Sequence, residues 1–99
     1  MDIRIQSIHF DASDKLQEFI QKRVTKLERF LDNIIDAEVV LKVVKPEVAN
    51  NKEASVKLGA KNGDFFASKV ADSFEEAVDQ CAEALEKQVV KFKEKAHSK

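Results

Sequence analysis

The 99-residue chain carries 17 Lys and Arg against 18 Asp and Glu, a formal net charge of −1, and is 43% hydrophobic and 35% charged. That length makes one domain over residues 1–99 with a single core, and charge at that density leaves no stretch apolar enough for a membrane span. The lone Cys81 excludes an intramolecular disulfide and a multi-cysteine metal site. The start, Met1-Asp2-Ile3-Arg4-Ile5, alternates apolar and charged residues where a signal peptide would run apolar, so the expectation is a cytoplasmic protein.

In chain order, Ile3, Ile5, Ile8 and Phe10 open the sequence with a strand pattern over residues 3–10. Asp11-Ala12-Ser13-Asp14 breaks it. Ser13 suits a helix N-cap because its hydroxyl can accept from an unpaired first-turn amide, and Asp14 favours the positive end of the helix dipole. Leu16, Phe19, Ile20, Val24, Leu27 and Leu31 then recur at spacings of three and four, the apolar stripe of a helix of about five turns ending near Asp32-Asn33. Ala37 to Lys45, rich in valine, reads as a strand stopped by the only proline, Pro46. After a polar loop over residues 47–51, Ala54, Val56, Leu58 and Ala60 alternate with polar residues, a strand with one wet face.

Asn62-Gly63 predicts a hairpin, since both residues tolerate the positive φ of a type I′ turn. Phe65, Phe66, Ala67 and Val70 form the returning strand. Ser73-Phe74-Glu75-Glu76 has the form of a capping box. Phe74, Val78, Cys81, Leu85, Val89 and Phe92 mark the core stripe of a second long helix. The order β-α-β-β-β-α predicts an α+β fold, a four-stranded sheet with both helices packed on one face and the other face open.

Catalytic chemistry finds little support. No serine or cysteine nucleophile has a histidine nearby, His9 and His97 are far apart, and Gly59 and Gly63 are accounted for by strand and turn. Cys81 falls on the apolar stripe and reads as a buried structural thiol. The expectation is a protein that is not an enzyme and has no cofactor, no metal and no small-molecule substrate.

The informative signal is basic. At about 100° per residue, Lys15, Lys22, Lys26 and Arg29 fall within roughly a 60° arc of the first helix, with Arg23 at its border. A solvated lysine face is the competing explanation. The second helix weighs against it: Glu75, Glu76, Asp79, Glu83 and Glu86 crowd its first half, and Lys87, Lys91, Lys93, Lys95 and Lys99 its end. The helix dipole favours cations near a C-terminus, but that effect fades within the last turn and does not account for the whole run. Two basic stripes on neighbouring helices would make one surface suited to a phosphate backbone. All seven aromatics are phenylalanines. Phe10, Phe19, Phe74, Phe92 and one of Phe65 and Phe66 fit core positions, which leaves Phe30 and the other of that pair for outward ones, a poor supply for base stacking.

With that element order in place, Lys26-Leu27-Glu28 followed by Phe30, and Ala77-Val78-Asp79, Leu85-Glu86-Lys87-Gln88 and Lys91-Phe92-Lys93-Glu94-Lys95 further on, resemble the bacterial hibernation-promoting factor and ribosome-associated inhibitor family, also called sigma-54 modulation proteins. The resemblance covers essentially the whole chain. It implies a fold similar to double-stranded RNA-binding domains and a factor that binds small-subunit rRNA in the messenger and transfer RNA channel, silencing translation in stationary phase or stress. It implies rRNA contacts at Arg23, Lys26, Lys87, Lys91, Lys93 and Lys95, to which the helical-face argument adds Lys22 and Arg29. Ala84 departs from the pattern, standing where the family often has a basic residue. Ser73-Phe74-Glu75 departs too, standing where aspartate, methionine and tyrosine are common. The length and the lysine-rich end most resemble the short form, expected to be monomeric. The alternatives are a general double-stranded RNA binder and a protein–protein regulatory module without RNA.

Overall fold

The structure is a computed structural model that describes residues 2–8, 10–30, 34–44, 51–61 and 63–97, with side chains described as far as Phe92. Its elements are β1 (Asp2–Ile8), α1 (Asp14–Thr25) continued by a 3-10 turn (Lys26–Arg29), β2 (Ile34–Val43), β3 (Lys52–Ala60), β4 (Gly63–Ala71) and α2 (Phe74–His97). The sheet order is β1-β2-β3-β4. β1 pairs with β2 in parallel, as a strand–helix–strand crossover requires, and β2, β3 and β4 form an antiparallel meander.

Alternation along each strand divides the sheet into two faces. Ala37, Val39, Leu41, Ala54, Val56, Leu58, Phe65, Ala67 and Ala71 are buried on one of them. They meet Leu16, Ile20, Val24 and Leu27 from the first helical segment and Phe74, Val78, Cys81, Leu85 and Val89 from α2 in a single core. Glu38, Lys42, Lys57, Phe66, Ser68 and Val70 are exposed on the opposite face. Both helices therefore cover one side, the arrangement that the two apolar stripes predict.

Both helix starts are capped from the sequence. Ser13 Oγ accepts from the Leu16 amide at 3.1 Å, and Ser73 Oγ accepts from the Glu76 amide at 3.1 Å. Phe10 is not part of β1, which ends at Ile8; its ring stacks on Phe74 with centroids 4.8 Å apart, tying the start of α1 to the start of α2. Each helix runs back along the strand before it, and β4 runs parallel to β1, so α1 and α2 run parallel to one another.

Four further details differ from the sequence reading. The first helix is shorter than about five turns: its last turn tightens into the 3-10 turn, where the Phe30 amide donates to the Leu27 carbonyl at 3.0 Å. This satisfies a carbonyl that an ending α-helix would leave open. Phe30 packs partly against the core rather than pointing away. β2 begins at Ile34, three residues earlier than the alternation suggests, because a bulge makes Ile35 an extra residue and so breaks the period of two. Gly63 pairs with Ala60 as the first residue of β4, so it belongs to the strand and not to the turn expected of Asn62-Gly63. Leu31, Asp32, Asn33, Pro46 and Asn62 lie outside the described residues.

Candidate nucleic-acid interface

The helical layer carries the basic residues, and the fold sorts them into distinct environments. On α1, Lys15 and Lys22 are exposed, as are Lys26 and Arg29 in the turn that follows. Residues three apart eclipse in a 3-10 turn, so Arg29 stands above Lys26, closer in line than α-helical spacing places it. No ion pair involves Lys22, Lys26 or Arg29 among the described residues.

Arg23 is placed differently. Its Nε donates to Asp79 Oδ1 at 2.7 Å and its Nη1 to Glu86 Oε1 at 3.0 Å, and its side chain is only 16% exposed. Asp79 and Glu86 lie seven residues apart, two turns along one flank of α2, so one guanidinium spans them as a fork. Burial acts to lower the Arg23 pKa, but the hydrogen bonds to Asp79 and Glu86 outweigh it and the net shift is upward. Arg23 thus closes the seam between the helices, and its donors point into the protein. The sequence groups it with the basic arc, but cannot show that the acidic half of α2 supplies its partners.

The opposite flank of α2 faces β4. Gln88 Nε2 donates to the Phe66 carbonyl at 2.8 Å, and the rings of Phe65 and Phe92 meet edge to face at 5.6 Å. On this side Lys87 shares a shallow groove with Lys69, Gln80, Glu83 and Ala84. Lys91 follows one turn beyond Lys87 and is also exposed. Lys93 and Lys95 belong to α2, but their side chains lie outside the described residues.

The two basic groups therefore stand on either side of α2 instead of merging across the seam. Between them runs an exposed line at seven-residue spacing, Glu76, Glu83 and Val90. It is acidic through the first half of the helix and uncharged at Val90, which is 40% exposed. A polyanion lying across both groups meets least repulsion near the C-terminal ends of the helices.

Other parts of the molecule offer less. A depression on the open sheet face is lined by Ile35, Asp36, Glu38, Lys57, Gly59, Ala60 and Asp64, with Lys57 Nζ 3.9 Å from Asp64 Oδ2. Three carboxylates make it a poor seat for phosphate. Cys81 is fully buried, its thiol donating to the Ala54 carbonyl at 3.2 Å. Burial pushes its pKa up to about 11, partly offset by the backbone and charge of Lys69, so the nucleophilic thiolate is suppressed. Among the described residues no group of three or more His, Cys, Asp or Glu is placed to hold a metal ion, and no helix is long and apolar enough to cross a membrane.

A four-stranded mixed sheet under two parallel helices that display exposed cations defines a class of small α+β domain. Within that class the chain belongs to the Sigma 54 modulation protein / S30EA ribosomal protein family, which it matches over residues 3–97. It is 30% identical over 95 residues to the ribosome hibernation promoting factor of Escherichia coli strain K12, covering 96% of each chain. With the protein of the same name from Azotobacter vinelandii it shares 25% identity over 95 residues, covering 96% of this chain and 85% of the relative. A solved ribosomal subunit interface protein from Coxiella burnetii has the same fold, with a TM-score of 0.83 at 22% identity, covering 94% of this chain and 98% of that one.

Proposed function

We propose that this protein is a non-enzymatic, cytoplasmic ribosome hibernation factor that binds small-subunit rRNA in the messenger and transfer RNA channel and silences translation in stationary phase or stress. Family membership along nearly the whole chain supports the ribosome as target. The observation that carries the physical part is the set of exposed cations, with no ion-pair partner among the described residues, towards the C-terminal ends of both helices. Lys22, Lys26 and Arg29 on one side, with Lys87 and Lys91 on the other, make the phosphate contacts, and the resemblance adds Lys93 and Lys95 in the last turns of α2. Arg23 serves by fixing the helices relative to one another.

Each phosphate neutralised by Lys or Arg releases condensed counterions, so binding of this kind weakens steeply as salt rises. The test is sedimentation of a stationary-phase lysate at low and moderate ionic strength with detection of this protein. Co-migration with small subunits at low salt, lost as salt rises, is the expected result. A protein that stays at the top of the low-salt gradient defeats the proposal. Reversing Lys26, Lys87 and Lys91 to glutamate is expected to abolish co-migration while leaving the circular dichroism of the fold unchanged.

A further inference from the structure

Lys69 occupies an unusual position. Phe65, Ala67 and Ala71 share its side of β4 and are all buried beneath the helices, whereas Lys69 is exposed. Two features allow this. β4 is an edge strand of the sheet, and one of the α2 residues lining the groove beside it is Ala84, whose methyl group leaves the space open. Lys87 lines the same groove with Gln80, and Glu83 stands exposed there too. Neither lysine has an ion-pair partner among the described residues. The result is a groove between a strand and a helix with an ammonium group contributed from each side and an amide donor at Gln80.

We infer that this groove between β4 and α2 is a phosphate-binding subsite for the RNA backbone, with Lys69 and Lys87 as its two cations and Ala84 as its open floor. The inference rests on the function proposed above and adds to it a strand residue outside the helical stripes. Two lysines converging from different elements suit a phosphodiester oxygen as point charges that need no fixed fork geometry. Lys91, one turn further along the same flank, extends the path towards the uncharged stretch at Val90. Glu83 opposes the anion, and its removal acts in the opposite direction to removal of either lysine.

The test is the affinity of the full chain for purified small ribosomal subunits, measured across a salt series, for wild type and for Lys69→Ala, Lys87→Ala, Glu83→Gln and Lys57→Ala. Loss of one phosphate contact is expected to lower the slope of log affinity against log salt by about 0.7–0.9. Lys69→Ala and Lys87→Ala each show that loss with several-fold weaker binding at low salt, Glu83→Gln tightens binding, and Lys57→Ala, on the open face, changes nothing. A lysine side chain introduced at position 84 faces the same groove, so Lys69→Ala combined with Ala84→Lys restores the slope. If Lys69 does no more than keep an edge strand from pairing with another chain, Lys69→Ala leaves slope and affinity unchanged while Lys87→Ala lowers both, and the subsite is overturned although the hibernation reading stands. If the wild type binds no small subunits at any salt, both fall together. Thermal unfolding of each variant confirms that the compared chains are folded.

Discussion

Arg23 and Asp79, 56 residues apart in sequence, meet at 2.7 Å and fasten α1 to α2. Glu86 completes the fork at 3.0 Å. Asp79 is 51% exposed and Glu86 27%, so solvent screens both contacts and their worth lies well below that of a buried pair. Arg23→Ala is therefore expected to cost about 1–2 kcal/mol in urea unfolding. The ammonium group of the Arg23→Lys variant can serve one carboxylate but not span two, and should recover only part of that loss. Because the guanidinium faces inward, Arg23→Ala should weaken small-subunit binding without changing its salt slope, whereas Lys26→Ala lowers the slope. An equal drop in slope for both variants would place Arg23 on the RNA instead.

The two helix caps act independently. Ser13 and Ser73 each satisfy one first-turn amide, on different helices and with no shared partner. Ser13→Ala and Ser73→Ala should each cost about 1 kcal/mol, which for a domain of this size lowers the melting temperature by about 4–8 °C. The double variant should show the sum, since neither site touches the other. Circular dichroism melts of the four proteins check both the size and the additivity.

The contrast between Ser13 and Arg23 shows how far the residues alone can be read. A cap, an apolar stripe and an alternating strand are local patterns, so the element order, the helix starts and most of the core were legible. The bulge at Ile35 hid the start of β2 because one inserted residue reverses the alternation that marks a strand. The 3-10 turn at Lys26–Arg29 has no signature in a stripe spaced at three and four, since both helix types satisfy that spacing. The basic arc on α1 was visible as a pattern. That one member, Arg23, turns inward while the others stay exposed depends on which flank of α2 packs beside it, a fact of tertiary geometry. Lys69 was missed because strand alternation assigns it to the core side, and only the groove beside Ala84 shows why it remains in water.

The two glycines should respond oppositely to a methyl group. Gly63 has φ of 141°, a conformation that L side chains rarely adopt, so Gly63→Ala should destabilise by about 1–3 kcal/mol although nothing crowds the site. Gly59 has ordinary strand geometry, and a Cβ there collides with the carboxylate of Asp36 on the neighbouring strand. Asp36 is exposed and its carboxylate can rotate away, so Gly59→Ala should cost less than Gly63→Ala. Urea unfolding of the two variants side by side decides it. A larger loss at Gly59 would mean that Asp36 is held in place.

Cys81 links stability to alkaline pH. Burial holds its folded-state pKa near 11, against 9.0 for the free thiol. Below pH 9 the thiol is protonated in folded and unfolded chains alike, and its contribution is fully present. Above pH 9 the unfolded chain ionises while the folded one does not, so stability falls as pH rises towards 11, by about 1.4 kcal/mol per unit at most. The complete loss amounts to about 2–3 kcal/mol. The measurement is the difference in unfolding free energy between wild type and Cys81→Ala from pH 8 to pH 10.5, which cancels whatever the two proteins share. The wild type should lose stability more steeply than the variant, and parallel curves would remove the thiol as the cause. At neutral pH the same burial should restrict labelling of Cys81 by a thiol reagent to the rate at which the domain opens, with urea accelerating it.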